Sequence, residues 1–287
     1  MNDVKVAEFW ESLENNVVKC GLCPHNCTIN ENKAGKCGVR TNIDGTLIAS
    51  SYGSVTSIAL DPIEKKPLYM FHPGKMIASI GGYGCNFHCP FCQNYGISME
   101  YQRIKPDLMT PELVKEVALL ATKDNNIGVA YTYNEPLIGY EFIIDCSMLI
   151  REAGLVNVLV TNGYINNEPL EKLLPYIDAL NIDIKGKSER TYNKLGGTLE
   201  PVMNTVKTSR KVCHVEVTTL VVPGENENEV EEIAKWLSTI DPDIPYHLSR
   251  FFPRYKYSDR VQTPPETMLR LKTVAQRYLK NVFLGNM

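Results

Sequence analysis

Three closely spaced cysteines carry the most reactive chemistry in the chain. Cys85, Cys89 and Cys92 lie in the segment GGYGCNFHCPFCQN, with three residues between the first two and two residues between the last two. Four thiolates fully ligate a [4Fe–4S] cluster, whereas three leave one iron without a protein ligand. An open coordination position is typical of a reactive metal site. The spacing therefore predicts a catalytic iron–sulfur centre; a zinc site completed by His88 is the alternative.

A second group of cysteines lies nearer the N-terminus. Cys20, Cys23, Cys27 and Cys37 are separated by two, three and nine residues, and His25 lies among them as a possible replacement ligand. Four thiols in so short a segment predict a closed site, which holds a structural metal or relays electrons. Zinc and an auxiliary iron–sulfur cluster both accept four thiolates, so both remain open for this second site.

Composition narrows the classes of function. The 287 residues include 30 Lys and Arg against 33 Asp and Glu, a net charge of −3, which argues against a general nucleic-acid binder. The sequence has no apolar run of the roughly 18 residues that a membrane span requires, and the acidic N-terminus does not resemble a secretory signal. Clustered thiols in a chain of this size indicate metal binding in a reducing compartment rather than disulfides. We therefore expect a cytoplasmic protein.

Strands and helices alternate over most of the chain. Residues 1–75 are expected to form a small cysteine-rich metal-binding module with a first helix near Val4–Glu14, and residues 76–287 the main α/β domain. Strict alternation of strand and helix predicts a parallel sheet, either a shortened barrel or an open doubly wound sheet. The six expected strands are 76–82, 127–133, 156–161, 179–185, 214–222 and 245–252.

Polar residues in the fourth of these strands favour a barrel. Asn181, Asp183 and Lys185 share one face because side chains alternate along a strand. A strand covered by helices has no solvent face, so these groups are expected to point into an enclosed polar cavity. An exposed edge strand with ordinary alternation is the alternative.

The three-cysteine motif, with Phe91 directly before its last cysteine, resembles that of radical S-adenosylmethionine enzymes. This resemblance implies a partial (β/α)6 TIM-like barrel. It also implies that the open iron binds S-adenosylmethionine and that reduction of the cluster cleaves the cofactor. The 5′-deoxyadenosyl radical so formed abstracts a hydrogen atom from a substrate. The chemistry is oxygen-sensitive, which implies an anaerobic oxidoreductase.

Further motifs resemble one branch, the activating enzymes of glycyl radical enzymes, and are most similar to the AmmeMemoRadiSam-system radical enzymes. They are CGLCPHNC, GKCGVR, DPIEKKPLYMFHPG, TYNEP, TNGY, NIDIKG, TLVVPGEN and HLSRFFP. This branch implies a protein substrate and an electron donor such as a flavodoxin or ferredoxin. Radical modification of RNA or of a small metabolite is one alternative, and a non-catalytic iron–sulfur electron-transfer module is another.

The resemblance also implies cofactor contacts, with no catalytic side chain beyond the cluster and cofactor. Glu135 would accept from the amino group of S-adenosylmethionine, Asp183 would bind its ribose and Lys185 its carboxylate. An internal salt bridge between Asp183 and Lys185 is the alternative. The other expected contacts are Phe91, Asn134, Thr161, Asn162 and Arg250.

The last strand departs from the branch's pattern. Phe252 stands where related proteins often have a histidine, so one expected cofactor contact is missing. Arg250 and His247 are the two residues that could replace it.

Overall fold

The structure, a computed structural model, describes residues 4–287, and its N-terminal part consists of short antiparallel strands. The first five are β1 (Trp10–Ser12), β2 (Val18–Cys20), β3 (Thr28–Ile29), β4 (Arg40–Ile43) and β5 (Thr46–Ala49). Strands β1–β3 form one sheet, and β4 and β5 form a hairpin. The helix expected near Val4–Glu14 is wrong: Phe9 has a φ of 53°, and Trp10 pairs with Cys20. Strand pairing overrides the helical spacing of the apolar residues there.

An eight-stranded sheet forms the centre of the protein. The remaining strands are β6 (Ser54–Val55), β7 (Ser57–Pro62), β8 (Met76–Gly81), β9 (Asp107–Leu108), β10 (Asn126–Tyr131), β11 (Val156–Thr161), β12 (Ala179–Asp183), β13 (His214–Val221), β14 (Tyr246–Arg250) and β15 (Val282–Gly285). The sheet order is β15-β14-β13-β12-β11-β10-β8-β7, while β6 pairs with β9. All pairs in the central sheet are parallel except β7 with β8. The expected α/β fold and its six strands are confirmed, and β7 and β15 extend the sheet at its two edges.

Helices connect the parallel strands. They are α1 (Tyr95–Ser98), α2 (Pro111–Leu120), α3 (Tyr140–Glu152), α4 (Asn167–Leu173), α5 (Glu189–Leu195), α6 (Glu200–Arg210), α7 (Val230–Ile240) and α8 (Pro265–Ala275). Thr110 caps α2, because its side chain accepts from the Leu113 amide, and Pro111 occupies the first helical position. Between residues 4 and 287, the helices are too short or too polar to cross a bilayer.

A segment before β8, residues 63–72, closes the amino-terminal side of the sheet; we call it the floor segment. The buried carboxylate of Glu216, on β13, accepts hydrogen bonds from the Tyr69 and Met70 amides at 3.0 and 2.8 Å. It also accepts from His214 and His247 at 2.9 and 2.5 Å. Burial alone would raise the pKa of Glu216, but these donors outweigh it and lower the pKa to about 2. An ionised glutamate therefore anchors the floor segment.

A buried ion pair fastens the N-terminal strands to the rest of the protein. Arg40, on β4, donates through Nη1 to Glu141 Oε1 on α3 at 2.8 Å, and both side chains are almost inaccessible. The backbone amide of Glu8 donates to the same carboxylate at 2.7 Å. Removing one partner of such a pair leaves a buried charge without compensation. The pair thus fixes where the N-terminal cysteines lie relative to the sheet.

Candidate functional site

The loop that follows β8 brings the three closely spaced cysteines to the carboxyl ends of the parallel strands. Cys85, Cys89 and Cys92 all line one cavity of about 320 Å³. The Phe87 amide lies 3.3 Å from Cys85 Sγ, and the side-chain amide of Asn162 lies 3.8 Å from the same sulfur. Three thiols in one cavity, with two amide donors directed at the sulfur of Cys85, fit a [4Fe–4S] cluster held at three of its four corners.

Glu135 is the most enclosed carboxylate of this cavity. It is 3% exposed and follows β10. Its oxygens accept from the Thr161 hydroxyl at 2.6 Å, the Asn162 amide at 2.7 Å and the Leu137 amide at 3.0 Å. Burial raises the pKa of Glu135 to about 7, and these hydrogen bonds limit the rise. A nearby cation would favour the ionised form, so the carboxylate is suited to bind an ammonium group.

Asp183 and Lys185 line the cavity as an ion pair. Lys185 Nζ lies 2.9 Å from Asp183 Oδ2, so the salt bridge considered as an alternative forms in this structure. Burial alone would lower the pKa of Lys185, but Asp183 outweighs it and raises the pKa. The Asp183 side chain keeps 31% of its surface exposed. Both groups can therefore still meet a ligand that enters the cavity.

Three other expected contacts mainly position their neighbours. Asn134 accepts from the Gly82 amide at 3.0 Å and donates to the Gly84 carbonyl at 3.1 Å, which holds the loop before Cys85. The Thr161 hydroxyl donates its hydrogen bond to the Glu135 carboxylate. The Asn162 side chain donates to Asn86 Oδ1 at 2.8 Å. These residues line the cavity while their hydrogen bonds fix its walls.

The structure does not bring every expected residue to the cavity. Phe91 lines it, but Arg250 is not among its lining residues. Arg250 donates through Nε to the Thr263 carbonyl at 2.6 Å and lies over the ring of Phe252. His247 is bound to Glu216 on the amino-terminal side of the sheet. Neither residue replaces the missing histidine contact in this conformation.

Several cavity residues were not expected from the sequence. Thr218, on β13, has a buried hydroxyl with no hydrogen-bond partner in the described part of the chain, and it lines the cavity. Lys66 and Tyr133 also line it. Thr218 lies in the same strand as Glu216, so an alternation analysis of β13 like that made for β12 could have found it. Lys66 depends on how the floor segment folds back, which local sequence does not indicate.

The four N-terminal cysteines form a separate group. Cys20 and Cys27 lie close enough to Cys23 and Cys37 to contribute to the raised pKa of both. Burial raises the pKa of Cys23 to about 12 and that of Cys37 to about 11. Over residues 4–287, no three His, Cys, Asp or Glu side chains are arranged tightly enough to enclose a single metal ion. The thiols therefore form a loose group in this conformation.

The two cysteine groups lie on adjoining segments. Gly84, with a φ of +82°, must be glycine because a Cβ there would lie 2.6 Å from the Cys37 carbonyl oxygen. His25 Nε2 lies 2.7 Å from the carbonyl oxygen of Asn86. The N-terminal group thus packs directly against the loop that carries Cys85.

Comparison with known proteins identifies the family. Residues 79–237, more than half of the chain, match the Radical SAM superfamily. An uncharacterised protein of Methanocaldococcus jannaschii is 43% identical over 99% of this chain and 85% of its own length. A putative glycyl-radical enzyme activating enzyme of the same organism is 27% identical over 74% of this chain and 90% of its own length. The crystal structure of QueE from Escherichia coli has a similar fold, with a TM-score of 0.51, 13% identity and coverage of 82% of this chain and 94% of QueE. The chain belongs to the Radical SAM superfamily.

Proposed function

We propose that this protein is a radical enzyme that holds a [4Fe–4S] cluster on Cys85, Cys89 and Cys92 and binds S-adenosylmethionine beside it. When bound, the reduced cluster and cofactor supply a 5′-deoxyadenosyl radical that abstracts hydrogen from a substrate. The observation that carries the proposal is one cavity that contains three cysteines, a buried carboxylate and an ion pair. It is this combination, rather than the cysteines alone, that suits a zwitterionic cofactor.

The chain's own residues divide the binding of the cofactor among them. Glu135 accepts a hydrogen bond from the amino group of the cofactor. Thr161 and Asn162 hold the Glu135 carboxylate in place. Lys185 donates to the carboxylate group and Asp183 accepts from a ribose hydroxyl, which requires their mutual contact to loosen. The unpartnered Thr218 hydroxyl supplies a further hydrogen bond within the cavity. Charge-assisted hydrogen bonds of this kind are the strong ones in proteins.

Anaerobic reconstitution tests this proposal. The protein is loaded with iron and sulfide, reduced with dithionite and given S-adenosylmethionine, and 5′-deoxyadenosine is measured. We expect 5′-deoxyadenosine from the wild type and none from the variant in which Cys85, Cys89 and Cys92 are all alanine. Failure of the loaded wild type to form it would favour a non-catalytic iron–sulfur protein.

We further propose that the substrate is a protein, as in the activation of glycyl radical enzymes. The support is the relative whose name gives that activity, which matches along most of both chains. An electron donor such as a flavodoxin or ferredoxin would reduce the cluster. Anaerobic incubation with co-purified proteins, followed by electron paramagnetic resonance, should reveal a protein-centred glycyl radical. Modification of RNA or a small metabolite without such a radical would contradict this substrate class.

Residues 1–75 are proposed to form a module with a second metal site on Cys20, Cys23, Cys27 and Cys37, although β7 from this region pairs with β8 of the central sheet. The four thiols belong to one group and would draw closer around a metal, which supports the site, and its position against the Cys85 loop suits either a structural metal or an electron relay. Analysis of zinc, iron and acid-labile sulfide in the triple-alanine variant identifies the metal. Sulfide retained in this variant indicates a second iron–sulfur cluster, and zinc indicates a structural site. A variant that contains neither sulfide nor zinc would contradict the proposal.

A further inference from the structure

The DPIEKKPLYMFHPG motif places a charged cluster inside the cavity that the proposed cofactor contacts do not use. Its first residue, Asp61, lies on β7 opposite Ile77, near the amino end of β8. The cysteine loop follows the other end of β8, and four residues of strand correspond to about 13 Å. The floor segment then returns beneath the sheet and brings Lys66 into the same cavity as the three cysteines. The cluster therefore lies deeper than the cysteine loop.

Lys66 is buried yet not saturated with partners. Its side chain is 3% exposed, and Nζ lies 2.8 Å from Asp61 Oδ2. The same nitrogen lies 4.7 Å from the centre of the Tyr133 ring. An ammonium group has three donors. Among the described residues Lys66 Nζ makes one hydrogen bond and one cation–π contact, which leaves one donor without a partner on a side chain that lines the cavity.

The cluster carries excess positive charge. Lys65 Nζ also approaches Asp61, at 3.2 Å, so two ammonium groups share one carboxylate. Tyr133 donates its hydroxyl to the same carboxylate at 2.8 Å. Burial alone would raise the pKa of Asp61, but the hydrogen bonds from Lys66, Tyr133 and Lys65 outweigh it and lower the pKa to about 2. The formal charge of the cluster is therefore +1.

Tyr133 adopts an unusual backbone conformation where it meets this cluster. Its φ is 73°, in the left-handed region that residues other than glycine rarely occupy. It lies directly before Asn134 and Glu135, so the strained residue joins the charged cluster to the proposed cofactor contacts. Strain of this kind persists where surrounding contacts hold it.

We infer that Lys66, positioned by Asp61 and Tyr133, binds an anionic group of the substrate, a carboxylate or a phosphate, within the cavity. The inference rests on the proposed function because it assigns the substrate's charge at the same site. A carboxylate fits an acidic side chain of a protein substrate, and a phosphate fits a phosphorylated substrate. The excess charge and the remaining Lys66 donor suit both.

Paramagnetic line broadening can detect such binding before the substrate is known. The reconstituted full-length protein is reduced, its cluster is verified by electron paramagnetic resonance, and the NMR lines of [1-13C]acetate and inorganic phosphate are measured separately. We expect the reduced cluster to broaden the NMR lines of at least one of the two probes. The probe with the stronger broadening identifies the anionic group, carboxylate or phosphate, that the site prefers. If the wild type broadens neither probe, the inference is wrong.

Four variants separate anion binding from a structural role. Lys66→Met should reduce the broadening about tenfold or more, because hydrogen bonds to charged groups contribute that much to binding. Lys66→Arg should retain it, and so should Lys123→Met, the matched change on an exposed 3-10 turn. Asp61→Asn should increase the broadening, because the amide oxygen still accepts from Lys66 and positions it, while the negative charge that competes with the probe is removed. Unchanged broadening in Lys66→Met would overturn the inference, and this is the result expected if the anion binds iron instead. Loss of the broadening in Asp61→Asn would also overturn it.

Cofactor measurements on the same samples keep the two proposals distinct. In Lys66→Met the probe broadening should fall by a larger factor than S-adenosylmethionine binding or 5′-deoxyadenosine formation, since Lys66 is assigned to the substrate. If cofactor binding falls together with probe broadening, Lys66 belongs to the cofactor site and the inference is wrong. If the wild type broadens the probes in a Lys66-dependent way but forms no 5′-deoxyadenosine, the proposed function fails while the anion site stands.

Discussion

Two side chains on the same face of β13, Glu216 and Thr218, have opposite surroundings toward the amino and the carboxyl side of the central sheet. Glu216, on the amino-terminal side, accepts from two backbone amides and two histidines. Thr218, two residues further along, has a buried hydroxyl with no partner in the part of the chain described and lines the cysteine cavity. Buried polar groups are normally satisfied, and an exception indicates a missing partner. Beside Glu216, the amino side of the sheet thus holds the floor segment, whereas beside Thr218 the carboxyl side offers an unused hydroxyl to a ligand.

The largest expected effect is at the carboxyl end and affects function alone. Cys89→Ala should abolish 5′-deoxyadenosine formation and remove the cluster's electron paramagnetic resonance signal. The reason is that the two remaining cysteine ligands are too few to retain the [4Fe–4S] cluster. Folding should persist, because the change removes a single sulfur atom and leaves the strand pairing of the central sheet intact. Cys213→Ala, which changes a half-buried cysteine outside both groups, is the matched control. A normal cluster signal in Cys89→Ala would contradict the ligand assignment.

The next effect is at the amino end and affects stability. Glu216→Ala leaves two amides of the floor segment and two histidines without their acceptor. Removing one partner of a buried charged network costs about 3–5 kcal/mol, so chemical denaturation should show a drop of that size in the free energy of unfolding. Glu171→Ala, on the exposed surface of α4, should change it little. A stability equal to that of the wild type would show that Glu216 does not anchor the floor segment.

An intermediate effect concerns the cofactor. Glu135→Gln keeps the shape of the side chain but removes the charge that would meet the cofactor's amino group. S-adenosylmethionine should bind about 10- to 100-fold more weakly, as expected for loss of a charge-assisted hydrogen bond. Equilibrium binding to the loaded protein measures this, with Glu171→Gln as the control. Because Glu135 is not a proposed iron ligand, loss of iron from Glu135→Gln would contradict its role.

The smallest effect concerns the loop that carries the cysteines. Asn134→Ala removes the hydrogen bonds to Gly82 and Gly84, each contributing about 1 kcal/mol, together with a longer one to the Glu135 carbonyl. We expect a chelator to extract iron a few times faster from this variant, without a change in the amount initially bound. Asn281→Ala, which removes one exposed hydrogen bond to Asp243, is the control. Equal extraction rates would show that Asn134 does not restrain the loop.

Local sequence predicted the parts of the molecule that depend on local spacing. The cysteine loop and the six parallel strands depend on residues near one another in the chain, and the structure contains them. Edge strand β7 was not expected because Ile58 and Leu60 remain largely exposed and provide no buried run. The short strand β15 and helix α6 were not expected either.

The parts that sequence did not predict depend on contacts between distant segments. Lys66 reaches the cavity only because β7 turns back along β8 and the floor segment is held by Glu216. The N-terminal helix is absent because Trp10 pairs with Cys20 of β2. Arg250 was expected at the cofactor, but its guanidinium is bound to the Thr263 carbonyl. Each of these outcomes was decided by tertiary packing, which a residue's near neighbours in sequence do not encode.

The most direct test of the central claim is whether the cofactor binds the iron that has no cysteine. Electron–nuclear double resonance of the reduced wild type, given S-adenosylmethionine labelled with 15N at its amino group, measures the coupling between that nitrogen and the cluster. We expect a 15N coupling strong enough to require direct coordination. With unlabelled cofactor, 14N lines should replace the 15N lines. Absence of any 15N coupling in a protein that carries a full [4Fe–4S] signal would contradict the claim.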